Sequence, residues 1–158
     1  MSASRLIPIA VLAFVAALLL VLYLPGILRY WSFKGSLNDL VRLVKKGDPI
    51  AAAKYVVDED YEDLLELIDT YVPRDYHRDL VALNVTSATW DGECYNVRLV
   101  ARFQGQRYNG IGQARMKWRR TENGWRFDLR GTEVAEGYPQ GQFVSLEHYL
   151  GSAELFGH

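Results

Sequence analysis

The sequence predicts an α+β chain: an N-terminal transmembrane helix, then about three helices packed on a curved four-stranded antiparallel sheet. Three observations lead there. Residues 6–28, "LIPIAVLAFVAALLLVLYLPGIL", carry no charge. Apolar residues then recur at helical spacing as far as Pro73. From Asp79 onward the spacing falls to two, with turn residues between the runs.

The uncharged run of 23 residues makes roughly 34 Å of helix, enough to cross a hydrocarbon core of about 30 Å. A cleaved signal has a shorter apolar core, about 7–15 residues, followed by a small-x-small site. Here Ala13, Ala16 and Ala17 lie inside the run instead. The reading is therefore an uncleaved single-pass anchor over residues 1–31, with the lipid bilayer as its partner. Arg29, Tyr30 and Trp31 are its expected membrane-interface residues, the aromatics at headgroup level and the Arg snorkelling to water. Orientation has arguments on both sides. The basic flank of Arg29, Lys34, Arg42, Lys45 and Lys46 favours a cytoplasmic domain, whereas very short N-terminal tails commonly stay inside. The soluble domain is expected to be extracytoplasmic.

The domain itself is expected over residues 32–134, with a tail at 135–158. Ser36 and Asp39 fit a capping box at a helix start. Leu37, Leu40, Val41 and Val44 then share one helical face, and Gly47 ends the helix. Asp48 and Pro49 restart another as N-cap and first helical residue, and "IAAAKYVV" carries it to about Val57. "DEDYEDLLELIDTYV" makes a third, burying Tyr61, Leu64, Leu65, Ile68 and Val72. Asp58, Glu59 and Asp60 stand at its positive end, and Pro73 stops it.

"DLVALNVTSATW" and "CYNVRLVARFQ" read as two strands. A three-residue loop, Asp91-Gly92-Glu93, opposes Val81 with Phe103, Leu83 with Ala101 and Val85 with Leu99, keeping apolar residues together. In "MKWRRTENGWRFDLRG", Asn123-Gly124 signals a type I′ hairpin that sets Trp118 opposite Leu129 and Arg119 opposite Asp128. Aromatic and basic residues are then mostly sorted to opposite faces. Base-stacking proteins need them on one surface, and the net charge is only −1, so nucleic acid is excluded as a partner.

The outward set comprises Arg98, Arg102, Arg115, Lys117, Arg119, Arg126 and Arg130, broken by Asp128. It is either a solvated face or a docking surface for an acidic partner or anionic headgroups. Charge is also blocked along the chain. Residues 58–79 hold nine acids against two Arg, and residues 80–131 hold nine Lys/Arg against four acids. Such blocks imply surfaces of opposite sign, facing each other within the molecule or facing partners. The tail places Phe143, Leu146 and Leu150 at helical spacing, with Tyr149, Ala153 and Phe156 as a second stripe. It is either a helix packed on its own domain or an apolar docking segment.

"GDPIAAAKYV" in the helical part and "WRRTENGWRFDLRG" in the last hairpin resemble the nuclear transport factor 2-like (cystatin-like roll) superfamily, over roughly residues 36–134. The resemblance implies a cone-shaped roll whose helices pack into a bent sheet, often around a cavity. Tyr95, Trp118, Trp125 and Phe127 would line it, with Val97, Leu99, Phe103 and Met116. Membrane-anchored members include secretion-system assembly components, and soluble ones include isomerases and dehydratases. A homodimer through the open sheet is possible in such rolls, although like charges on the outer face oppose it.

Little else points to chemistry. Asp75, Tyr76, His77 and Asp79 cluster in sequence, but just after Pro73, where a polar connection is expected. His77, His148 and His158 lack metal spacing, Cys94 has no evident base, and Asn84-Val85-Thr86 falls inside a strand, where a glycosylation sequon is discounted. No catalytic residue, metal or cofactor is expected. The expected role is a non-enzymatic accessory or assembly subunit of a larger membrane protein complex. The alternatives are a tethered small-ligand-binding module and, less favoured, an isomerase- or dehydratase-like enzyme.

Overall fold

The computed structural model describes residues 3–150, and the chain divides after Gly35 into two compact units. Helix α1 spans Ala3–Lys46, with Pro8 and Pro25 inside it. In the first unit, apolar side chains from Ile7 to Leu28 stand exposed. By length and composition, α1 is the one helix among the described residues that could cross a membrane.

The helix start expected at Ser36 is absent, because α1 continues through Gly35 and leaves Ser36 and Asp39 in its interior. A glycine within a helix costs only about 1 kcal/mol, which tertiary packing of the following turns can outweigh. Asp39 is used sideways rather than as a cap. It accepts from the Tyr55 hydroxyl and from Arg42, and it pairs with Lys54 at 3.4 Å.

The second unit begins with the last turns of α1, where Leu37, Leu40 and Leu43 are buried. A Schellman motif closes the helix: Asp48 N–H donates to Leu43 O and Gly47 N–H to Val44 O, both at 3.1 Å. Gly47 takes φ +81°, and a Cβ there would stand 2.5 Å from His77 Nδ1, so only glycine fits. Helix α2 (Pro49–Ala52) starts on Asp48, whose carboxylate accepts from Ala51 N–H at 3.0 Å, as the sequence predicts. Tight turns at Ala53–Tyr55 and Asp58–Asp60 lead into α3 (Tyr61–Tyr71), and α4 (Tyr76–Asp79) follows Pro73. Leu67 is the most buried residue of α3.

The sheet runs in chain order: β1 (Leu80–Trp90), β2 (Tyr95–Gln104), β3 (Asn109–Thr121), β4 (Gly124–Glu136) and β5 (Val144–Ser145), every neighbouring pair antiparallel. This is the α+β class that the sequence predicts, with one short strand more than the expected four. The sheet is open and antiparallel, with helices against its inner residues.

Register shows where alternation was a sufficient guide. Leu83 faces Ala101 and Val85 faces Leu99, as expected. The loop is longer, because Trp90 already pairs with Tyr95, and a bulge between Val85 and Ser87 absorbs the difference. A second irregularity puts Leu80 opposite Phe103 and leaves Val81 exposed, so the expected Val81–Phe103 pair does not form. The second hairpin turns at Glu122 and Asn123 instead of Asn123-Gly124, since Thr121 pairs with Gly124. A type I′ turn needs positive φ at both central residues, and no described non-glycine residue has it. In this hairpin Gly124 has it, at φ +99°, after a turn braced by Thr121 Oγ1, which accepts from Asn123 N–H at 3.2 Å.

The register is thereby offset by two residues. Trp118 meets Phe127, not Leu129, and Arg119 meets Arg126, not Asp128, which lies opposite Lys117. Between Lys117 and the turn, this even offset leaves the side chains on the faces predicted for them, and a bulge follows between Arg115 and Lys117. Trp118 and Leu129 are fully buried at the centre of the core, beside Val56 and Val57.

Candidate functional site

The two ends of the roll differ. At one end aromatic rings fill the interior. Tyr95 lies 4.9 Å from Trp90 and 5.5 Å from Trp125 between ring centroids, and Trp118 lies 5.6 Å from Phe127 and 6.0 Å from Tyr55. Tyr95, Trp118 and Trp125, expected to line a cavity, are buried in this stack.

At the other end the interior is open. A cavity of about 510 Å³ lies between the sheet and the helices, walled by Leu40, Leu64, Ile68, Leu99, Phe103 and Phe127. Its room comes from small residues on the inward positions: Ala52 and Ala53 from the helical side, Ala101, Gly112 and Ala114 from the sheet. Of the eight expected lining residues, Leu99, Phe103, Met116 and Phe127 line it. Tyr71, Pro73, Tyr76, Phe103 and Gly112 also border an adjoining recess of about 660 Å³, whose further walls include Arg107, Asn109 and Glu136.

The cavity lining holds no carboxylate and no histidine; its polar side chains are Tyr71, Tyr76 and Gln113. The Tyr76 hydroxyl donates to Val44 O at 2.5 Å, and burial, then the charge of Asp48, pushes it up to about 12. Gln113 Nε2 donates to Gly137 O at 2.5 Å.

The cluster Asp75, Tyr76, His77 and Asp79 is taken apart by the fold. Asp75 pairs with Arg107 at 2.6 Å, and Asp79 accepts from Tyr108 N–H at 3.1 Å and from Arg107 N–H at 3.3 Å. These two carboxylates fasten the β2–β3 turn. Gly105 is required there, because a Cβ would stand 1.9 Å from Asp79 Oδ1. His77 packs against Gly47.

Several basic residues of the outer sheet face are held by the domain's own acids. Arg119 donates to Glu59 at 2.8 Å; Arg130 reaches Asp60 at 3.5 Å, Asp63 at 3.6 Å and Glu147 at 3.3 Å; Arg115 reaches Glu133 at 3.7 Å. Arg126 donates to Trp125 O at 2.8 Å and stands 5.6 Å from the Tyr55 ring centroid. Asp58 accepts from Asn123 Nδ2 at 2.9 Å. Buried Asp60 accepts from Leu129 N–H at 3.2 Å, and desolvation holds its carboxyl above the usual range. Much of the charge blocking in the sequence is therefore neutralised across this internal seam. Arg98, Arg102 and Lys117 make no ion pair within 4 Å among the described residues.

The tail is divided. Phe143 precedes β5 and lies over the Arg115 guanidinium, 3.6 Å from the ring centroid. Residues 146–150 are helical. Leu146 and Tyr149 border a small recess with Leu64, Leu67 and Val134, and Tyr149 meets Tyr71 at 5.6 Å. Leu150 is half-buried, while Ala153 and Phe156 lie outside the described residues. In the first unit, Arg29, Tyr30 and Trp31 belong to α1, where Trp31 is exposed and Lys34 approaches the Tyr30 and Trp31 rings at 5.8 and 5.9 Å.

Large inward residues are an ambiguous signal, because Leu99, Phe103, Met116 and Phe127 line the cavity whereas Tyr95, Trp118 and Trp125 fill the other end. The usable signal was the opposite one, small residues on inward alternation at Ala101, Gly112 and Ala114.

No protein-family model and no curated protein matches this chain. Among solved structures, it is similar to a candidate scytalone dehydratase from Novosphingobium aromaticivorans, at 17% identity and a TM-score of 0.41, over 73% of this chain and 92% of the other. It is also similar to a SEC-C motif-containing protein from Rhodopseudomonas palustris, at 21% identity and a TM-score of 0.38, over 64% and 68% of the two chains.

Proposed function

We propose that this chain is a membrane-tethered module that holds a small apolar ligand in the open end of its roll. The observation that carries the reading is the apolar cavity of about 510 Å³, within the range of about 300–1,000 Å³ usual for ligand pockets. The tether is α1, read as an uncleaved single-pass anchor with the domain on the extracytoplasmic side. The test is organic extraction of the purified full-length chain, followed by mass spectrometry. One apolar compound in fixed ratio is expected from the wild type and less from Ala114→Leu, which narrows the cavity. Equal recovery from both would overturn the reading.

A second reading, the accessory or assembly subunit of a membrane complex, draws support from Arg98, Arg102 and Lys117, outer-face cations that, like Arg126, have no acid within 4 Å among the described residues. Mild-detergent purification from the native membrane checks it. A fixed-stoichiometry set of membrane proteins is expected, and recovery of the chain alone would sink it.

A further inference from the structure

The outer face of the sheet carries a row of residues that antiparallel register sets side by side across all five strands. Ser87 lies opposite Arg98, Arg98 opposite Arg115, Arg115 opposite Glu133, and Glu133 opposite Ser145. Directly opposed residues share a face, with Cβ atoms about 4.5–5.5 Å apart, and like charges so placed are destabilising. Arg98 and Arg115 occupy such a pair. Arg119 and Arg126 form a second such pair, but Arg119 is neutralised by Glu59 and Arg126 donates to Trp125 O. The next row adds Thr89, Asn96 and Lys117.

These residues, with Arg130, line a groove of about 360 Å³. Its charges are Arg98, Arg115, Lys117 and Arg130 against Glu133 alone. Arg130 is drawn toward Asp60, Asp63 and Glu147, and Arg115 shares Glu133, so Arg98 and Lys117 are the groove cations without an ion pair within 4 Å among the described residues, with Asp128 directly opposite Lys117 across the strands. Phe143 sets the geometry, since its ring centroid lies 3.6 Å from Arg115 Cζ and 5.8 Å from Arg98 Cζ. An aromatic ring on a guanidinium face leaves the N–H groups of the edge available, and that edge matches phosphate oxygens.

We propose that this groove is a binding site for a phosphate monoester, its dianion held by Arg98, Arg115 and Lys117 with the hydroxyls of Ser87 and Ser145 at the ends of the row. Two opposed guanidinium groups call for a doubly charged tetrahedral anion, and the groove leaves room for an organic body beside the phosphate. The proposal is independent of the apolar cavity, which lies among the inward residues of the same sheet.

The same chemistry is presented by a soluble phosphorylated metabolite and by the headgroup of a lipid phosphate monoester. Isothermal titration calorimetry on the full-length chain in non-ionic detergent, at fixed ionic strength, tests it with glycerol phosphate and, separately, with micelles doped with phosphatidic acid. Binding of glycerol phosphate is expected to weaken about tenfold or more in Arg98→Gln and to tighten in Glu133→Gln. A response to phosphatidic acid alone, equally sensitive to Arg98→Gln, assigns the lipid source. Thermal unfolding without ligand guards against misfolding, since Arg98→Gln relieves a like-charge pair and is expected to melt no lower than the wild type. Identical titrations for all three proteins, or no heat with either probe, would overturn the proposal.

Discussion

The aromatic end and the hollow end of the roll are built from the same strands, yet they obey opposite rules. Between Trp90 and Tyr95 on one side and Trp118, Trp125 and Phe127 on the other, inward positions hold large rings in mutual contact. A few residues along, the inward positions become Ala101, Gly112 and Ala114, and the helices do not close in to compensate. Packing stabilises a domain roughly in proportion to the apolar surface it buries, so the hollow end forgoes stability that the aromatic end supplies. On the proposed reading, one end specifies the structure and the other is kept for a guest.

The sharpest way to break this contrast is a pair of substitutions. Trp118→Ala, at the fully buried centre of the ring cluster, is expected to destabilise the domain by about 3–5 kcal/mol in denaturant unfolding. Ala114→Leu adds bulk, which in a packed core costs about 1–3 kcal/mol. At the hollow end it is expected to leave stability unchanged or raise it. If Ala114→Leu proves as damaging as a core overpacking, the cavity is not open in solution and the contrast fails.

The turn fastened by Asp79 gives the next effect. Gly105→Ala drives a methyl group into the Asp79 carboxylate and breaks its bonds to Arg107 and Tyr108 N–H, at an expected cost of about 1–3 kcal/mol. Thermal unfolding of the variant checks it.

Acid titration sharpens a parallel contrast between two carboxylates. The Tyr55 hydroxyl and Arg42 hold Asp39 down to about 2, from an ordinary value of 3.8. A depressed carboxylate contributes stability that is present above the unfolded value and lost as pH falls from about 4 toward 2. Asp60 has the opposite sign, because desolvation raises it and its contribution is lost as pH rises through the folded value. Unfolding curves across acidic pH should therefore flatten at the low end in Asp39→Asn. In Asp60→Asn, the gain in stability on acidification should shrink instead. The same dependence in both variants would refute the assignment. The smallest effect is expected from Arg119→Ala, which removes an exposed pair with Glu59 worth at most about 1 kcal/mol, read as a shift in the denaturant midpoint.

What the sequence made legible was whatever depends on parity and period. Leu83 against Ala101, the inward burial of Val97, Leu99 and Met116, and the outward placement of Arg98 and Arg115 all follow from alternation. Local signals that compete with tertiary structure were less readable. The Ser36 cap lost to a helix that simply continues, and the Asn123-Gly124 signal lost to a turn tied down by Thr121 and by Asp58 on a distant segment. The charge blocks were visible, but not that Glu59, Asp60 and Asp63 would meet Arg119 and Arg130 within the same domain. That pairing depends on tertiary contacts over some sixty residues, which no short-range pattern encodes.

The seam between those blocks also bears on the order in which the domain assembles. Val57 N–H donates to Phe127 O, and Asp60 holds Leu129 N–H, so the segment before α3 docks on a strand made about seventy residues later. Loop-closure entropy must be overcome before contacts of such separation can form, which slows folding. On the ribosome, the helical half therefore emerges with its landing strip still unsynthesised. Opposite charge on the two halves gives the late arrival a long-range attraction for its place before any apolar contact is made. The last hairpin is thus the floor of the core, and the segment before α3 has no place to dock until that hairpin is made.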